Sequence, residues 1–337
     1  MTAKNAKKVI LDVDTGIDDA LAILLALKSP QLEVMGITTV GGNTRIENVT
    51  RNTLQVLELA GSGMDDGPYI PVAKGMGEPI SGPQEITYLH KDGEVVDGEY
   101  IHGSDGLANL SSKLPSPSIK PIEAHAVDFI IDSFMSNPKE ITLITTAPLT
   151  NVALALDKEP RIAEVVKEHI MMGGAYGLTE YGHGNVTPVS EFNAWHDPLA
   201  ADRVLSSMPT IAAGLDITHD PSVELKADIL PNFSSQNKIE SFVHSLLSFY
   251  VKRGERVAYP HDPIAVAVAL APEIFKWDRY PVEVETEGIL TRGQTIVDRR
   301  PQLPVERKGD IKPEIRICHH IDGKKFMDLF INRLTTD

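Results

Sequence analysis

Four carboxylates fall within eight residues in the run Asp12-Val13-Asp14-Thr15-Gly16-Ile17-Asp18-Asp19. The run follows a short β-rich segment, Lys8 to Val13, and leads into an apolar helical pattern, so it joins a strand end to a helix start. An ordinary helix N-terminus accounts for part of it, because aspartates at the cap and first turn offset the helix dipole. That explains Asp18 or Asp19. It leaves Asp12 and Asp14, which alternate with Val13 and therefore face the same side of a strand. A cation would resolve the repulsion, and hard oxygen donors in this number suit calcium or magnesium.

Three later segments carry further candidates, each with an ordinary reading beside it. His261-Asp262-Pro263 precedes the apolar helix Ile264 to Leu270. Taken alone, Asp262 reads as an N-cap with Pro263 at the first helical position, and His261 as a surface histidine. Thr145-Thr146-Ala147-Pro148-Leu149-Thr150-Asn151 lies between a strand and a helix and can present a backbone carbonyl at the strand end; alone it is a βα turn. The loop from Gly182 to Asn193 holds Asn185, Glu191 and Asn193, whose amides and carboxylate suit a polyhydroxylated ligand. Its plain alternative is a solvated loop with turn-forming asparagines.

The elements that must position these groups alternate regularly. Lys8 to Val13, Leu32 to Val40, Glu140 to Thr145, His169 to Met172 and Thr210 to Ala213 read as strands. Asp18 to Lys28, Thr44 to Leu59, Ile119 to Met135, Pro148 to Leu156 and Asp197 to Ser206 read as helices, with Gly61 a stop signal. Alternating βα units predict an α/β fold with a mainly parallel, twisted sheet and helices on both faces. No linker, repeat or low-complexity run interrupts the chain, so residues 1–337 are expected to form one domain. Two stretches without strong periodicity, Gly75 to Pro117 and Gly174 to Ser190, are long enough to be functional loops. In open α/β sheets ligands bind at the carboxyl ends of strands, where the aspartate run lies.

Composition narrows the partners. A formal net charge of −15 argues against nucleic acid or an acidic membrane surface. Cys318 is the single cysteine, so neither a disulfide framework nor a cysteine-based metal site is available within the chain, in keeping with a reducing compartment. The apolar run Val9-Ile10-Leu11 is too short for a signal-peptide core, and no stretch approaches the roughly 20 apolar residues of a membrane span. The expectation is a soluble, cytoplasmic protein.

Taken together, the segments resemble the nucleoside hydrolase family, the inosine–uridine-preferring nucleoside hydrolases. The resemblance is ordered and covers nearly the whole chain. It includes the aspartate run, Gly41-Gly42-Asn43, Ile101-His102-Gly103 with Asp105-Gly106-Leu107, Pro148 to Asn151 and Met172-Gly173-Gly174. It continues through Asn185 to Asn193, Gly214-Leu215-Asp216-Ile217-Thr218, His261-Asp262-Pro263, and Leu290 to Thr295 with Asp298. Ala147 departs from the family's usual glycine and puts the local turn geometry in doubt.

The resemblance implies an open, Rossmann-like fold and hydrolysis of the N-glycosidic bond of ribonucleosides. It implies Asp14, Asp19, Asp262 and the Thr146 backbone carbonyl as calcium ligands, with Asp14 also the general base for a calcium-bound water. Asp18 is expected at the ribose 2′-hydroxyl, Asn193 at the 3′-hydroxyl, and Asn185 with Glu191 at the 5′ end. Asn43 would orient the water and base, and Asp12 would support the metal shell. His261 and His102 are the candidates for activating the leaving nucleobase, with Tyr176, Tyr181 and Trp195 as aromatic contacts. His261 leans towards inosine and uridine, His102 towards pyrimidine nucleosides. A homodimer or homotetramer is implied.

Two other readings fit fewer residues. An aspartate-nucleophile phosphohydrolase would use Asp12-Val13-Asp14-Thr15 as its DxDxT signature, yet no convincing GDxxxD-type run follows and Gly16 to Asp19 go unexplained. A nucleoside- or ribose-binding protein would not need a metal-poised carboxylate.

Overall fold

In the computed structural model the segment KKVILDV forms β1 (Lys7–Val13), and its last five residues are buried, as befits a strand covered on both sides. The structure describes residues 6–62, 69–82, 87–89, 95–97, 99–233, 237–252, 258–300 and 314–335. Parts of the expected Gly75 to Pro117 loop lie outside these residues.

The other strands are β2 (Leu32–Thr39), β3 (Val72–Lys74), β4 (Thr87–Leu89), β5 (Val95–Asp97), β6 (Ile141–Thr145), β7 (Glu168–Met172), β8 (Thr210–Ala213), β9 (Phe275–Val284), β10 (Thr295–Val297) and β11 (Glu314–Ile321). Nine of the strands make one sheet in the order β10-β9-β11-β8-β7-β6-β1-β2-β3, while β4 and β5 pair separately. Every pairing from β3 to β11 is parallel; β9 runs antiparallel to both β11 and β10.

The helices are α1 (Ile17–Leu27), α2 (Ile46–Leu59), α3 (Glu99–His102), α4 (Ala126–Ser136), α5 (Thr150–Lys158), α6 (Ile162–Val165), α7 (Phe192–His196), α8 (Pro198–Leu205), α9 (Leu215–Thr218), α10 (Lys238–Lys252), α11 (His261–Leu270) and α12 (Gly323–Thr335). Alternation along β1 divides them. Val9, Leu11 and Val13 face a core built with α1, α2, α11 and α12. Ile10 faces a second core built with α4, α5 and α8. The expected α/β sheet with helices on both faces is what forms, with an antiparallel edge added.

Three local expectations need correction. The helix drawn from Ile119 begins only at Ala126. Pro121 biases Lys120 towards extended backbone, Ile122 bridges Ala73, and the His125 imidazole caps the helix by accepting from the Val127 N–H. The helix drawn from Pro148 starts at Thr150. Asp262 is not an N-cap, because α11 already begins at His261 and no side chain caps it. No helix among the described residues is long and apolar enough to cross a membrane.

From β1 the chain steps outward through β2 and β3, then returns across β1 to β6 and proceeds the other way. The carboxyl ends of β1 and β6 therefore flank the topological switch point, where open sheets leave a crevice.

Candidate active site and metal centre

The turn after β1 is built on close approach. A Cβ on Gly42 would lie 2.1 Å from Asp14 Oδ2, and one on Gly16 would lie 2.6 Å from His102 Nδ1. Only glycine lets these segments meet. Asn43 then donates its backbone N–H to Asp14 Oδ2 at 2.7 Å and its amide to Asp14 Oδ1 at 3.1 Å and Asp19 Oδ2 at 3.2 Å. Asp19 also accepts from the Gly16 N–H at 2.8 Å and the Thr146 hydroxyl at 2.7 Å. The ordinary capping role is thus real for Asp19, and it is combined with the cluster. Asp12 Oδ1 accepts from Thr38 Oγ1 at 2.5 Å and Asn151 Nδ2 at 2.9 Å, while its buried Oδ2 has no partner among the described residues.

Asp18, Asp19 and Asp262 each offer an oxygen within 4.8 Å of the others, all buried. Asp14 is not in that tightest set but stands against Asp19. Burial, reinforced by the Asp19 charge, holds Asp14 well above the usual carboxylate range. Burial and then the same charge push Asp18 up to about 7. Asp262 is raised by burial and by the charges of Asp18, Asp19 and Asp14. Among the described residues, no lysine or arginine makes an ion pair with any of the four. An all-oxygen donor set that repels itself and lacks a cationic partner fits a hard divalent cation.

Two histidines stand at this cluster. His102 is buried, with Nδ1 accepting from the Ile17 N–H at 3.2 Å and lying 3.9 Å from Asp18 Oδ1; burial pushes its pKa down to about 4. His261 is half-buried rather than a surface residue, and burial keeps it neutral. Its Nδ1 lies 2.9 Å from Thr218 Oγ1 and its ring packs against His219 and Tyr259.

The remaining candidates divide. Asn193 comes to the cluster, its amide donating to the Thr146 and Met172 carbonyls at 3.2 Å. Glu191 is buried and caps α7, accepting from the Asn193, Ala194 and Gly174 N–H groups. Asn185 sits exposed in a turn closed on Ser190. Tyr176 spends its hydroxyl on the Gly173 carbonyl in the core, Trp195 lies under Arg292, and Tyr181 is half-buried.

Sequence reasoning missed Tyr250 on α10, whose hydroxyl reaches Asp18 Oδ1 at 3.5 Å and whose ring lies 6.5 Å from that of His102. It also gave Asp216 no role. Asp216 accepts from the Tyr176, Leu178 and Thr179 N–H groups and so pins the loop after β7. Its signal was the short Gly214 to Thr218 segment following an apolar strand.

Comparison with known proteins gives the family. The profile described as "inosine-uridine preferring nucleoside hydrolase" matches residues 9–328. A protein of that same name from Leishmania major is 37% identical over 338 residues, covering 97% of this chain and 97% of the relative. A pyrimidine-specific ribonucleoside hydrolase from Salmonella agona is 36% identical, covering 98% of each. Among solved structures, a purine-preferring ribonucleoside hydrolase from Gardnerella vaginalis superposes with a TM-score of 0.83 at 33% identity, covering 98% of each chain. The class so defined is the ribonucleoside hydrolases, metal-dependent enzymes that split the N-glycosidic bond of small-molecule nucleosides. This chain belongs to the inosine–uridine preferring nucleoside hydrolase family.

Proposed function

We propose that this enzyme is calcium-dependent and converts ribonucleosides to ribose and free nucleobase, with Asp14 as general base. The observation that carries the reading is the gathering of four buried carboxylates, Asp14, Asp18, Asp19 and Asp262, without a lysine or arginine partner among the described residues. Asp14, Asp19, Asp262 and the Thr146 carbonyl would hold the ion. When bound, it supplies Lewis acidity towards a water and a grip on vicinal hydroxyls.

The chain's own groups do the rest. Asn43 fixes Asp14 through two hydrogen bonds, so the carboxylate is oriented to take a proton as the water oxygen bonds to C1′. The C1′–N bond breaks through an oxocarbenium-like ribose, as in glycoside hydrolysis generally. Asp18 takes the 2′-hydroxyl and Asn193 the 3′-hydroxyl, while Asn185 and Glu191 serve the 5′ end. His261, with His102 as the second candidate, hydrogen-bonds the departing base. The three relatives bear names with different base preferences, so preference here is inferred from His261 and His102: uridine and inosine first. The single buried cysteine suits a cytoplasmic setting, and family resemblance supports a homodimer or homotetramer.

A reducing-sugar assay across uridine, inosine, cytidine, adenosine and guanosine tests the reading, with deoxyuridine beside them. Uridine should be cleaved far better than deoxyuridine, because a site built for a hydroxyl leaves polar groups unpaired without it. Equal efficiency on the two would refute the sugar pocket, and phosphate release from phosphoesters without ribose release would favour the aspartate-nucleophile reading.

A further inference from the structure

Thr218 ends α9 and is wholly buried. Among the described residues its hydroxyl has a single hydrogen-bond partner, His261 Nδ1 at 2.9 Å. The direction of that bond follows from satisfaction of buried groups. If the imidazole donated, the hydroxyl hydrogen would be buried without an acceptor; if the hydroxyl donates, that hydrogen is satisfied by Nδ1. Thr218 therefore donates, Nδ1 is the lone-pair nitrogen, and the ring proton sits on Nε2.

The element carrying Thr218 is itself fixed. Gly214 caps α9 so closely under the loop after β7 that a Cβ there would meet the Gly174 carbonyl oxygen at 2.8 Å. Asp216 in the same helix binds Tyr176, Leu178 and Thr179 of that loop. The neighbouring His219 packs edge-on to His261 with ring centroids 5.3 Å apart. The imidazole is gripped at one nitrogen and one edge, and only Nε2 remains for a ligand.

We propose that Thr218 is the positioning residue for leaving-group activation, holding His261 in the tautomer whose Nε2–H is offered to the departing nucleobase. The inference rests on the reading of His261 given above. The tautomer matters because a neutral imidazole has one donor, and a departing base needs it to face the site.

The test compares Thr218→Val, which keeps the shape and removes the hydroxyl, with Thr218→Ser and His261→Ala, on uridine and on p-nitrophenyl riboside. Nitrophenolate leaves without a proton, so only uridine reports leaving-group activation. Thr218→Val should lower kcat on uridine about tenfold, the scale of one lost hydrogen bond, with KM and nitrophenyl cleavage nearly unchanged. Thr218→Ser should restore most of the rate. Imidazole nitrogen NMR should show His261 protonated at Nε2 in the parent enzyme and in Thr218→Ser, and a mixture of tautomers in Thr218→Val. Thr218→Ala replaces the valine variant should that one fail to fold. An equal fall on both substrates, serine behaving like valine, or an unchanged tautomer would overturn the proposal. If His261→Ala itself fails to separate the two substrates, the role given to His261 falls and this inference with it; if only Thr218→Val fails to separate them, the inference alone falls.

Discussion

Asp14 is wholly buried, and both of its oxygens accept from Asn43. A carboxylate in that position holds either a proton or a share in a cation, and only the second leaves it basic at neutral pH. Asp14→Asn should therefore reduce ribose release by at least 10²–10⁴-fold, the usual range for losing a general base. Without the cation the parent must take up a proton at this raised carboxyl, a cost the amide does not have, so the cation-free variant should melt higher than the cation-free parent. Thermal unfolding in chelator checks this, and near-normal turnover in a folded variant would remove Asp14 from its role. Asp14, Asp18 and Asp19 were legible in the sequence because they crowd into one turn. Tyr250 was not, since it lies 232 residues from Asp18 and nothing in its own helix marks a contact made only by the fold. Thr218 was visible as part of a motif, but the bond between its hydroxyl and His261 spans 43 residues.

β7 carries a different kind of polar group into the sheet. His169 is wholly buried between Thr145 of β6 and Thr210 of β8, with Nε2 3.0 Å from one hydroxyl and Nδ1 2.9 Å from the other. A neutral ring, with one donor and one acceptor, matches two hydroxyls; a charged ring with two donors does not suit the surroundings, and burial pushes its pKa down to about 3. An unfolded histidine titrates near 6.5, so between about pH 6.5 and 3 the unfolded chain binds a proton that the folded one refuses. Stability is therefore fully present above that window and is lost as pH falls through it, by up to about 1.4 kcal/mol per pH unit for this one ring. Urea unfolding at pH 7, 6 and 5 should show a steeper decline for the parent than for His169→Asn; parallel declines would refute it. β1, β2, β6, β7 and β8 were drawn to within a residue or two because their apolar runs are short and bounded, whereas β3 and β11 were not drawn. Nor was β9, as its residues alternate between buried, half-buried and exposed without a clean period of two.

For the whole molecule, a cation held by the proposed ligands would join the turn after β1 to the start of α11. Exhaustive chelation should abolish ribose release and lower Tm, with calcium restoring both. An ion at about 100 times its Kd stabilises a native state by about 2.7 kcal/mol. Elemental analysis finding no metal in fully active protein would end the calcium assignment.

The sheet order has a consequence for how the chain is made. β11 is the last strand of the sheet in chain order, yet it slots between β8 and β9, with its Arg316 and Ile317 paired to Ile211 and Ala212. β8 therefore has an open edge until β11 has been made and fills the gap between β8 and β9 like a keystone. The strand brings its own reporter: Cys318, the only thiol in the chain, is fully buried once β11 docks, and burial pushes its pKa up to about 12. A ribosome-stalled chain with β11 still in the exit tunnel should be held by chaperones, and a released but undocked chain should react with a thiol probe within minutes. The finished enzyme should resist the same probe until it unfolds. Rapid labelling of the native, active protein would show that the keystone is loose.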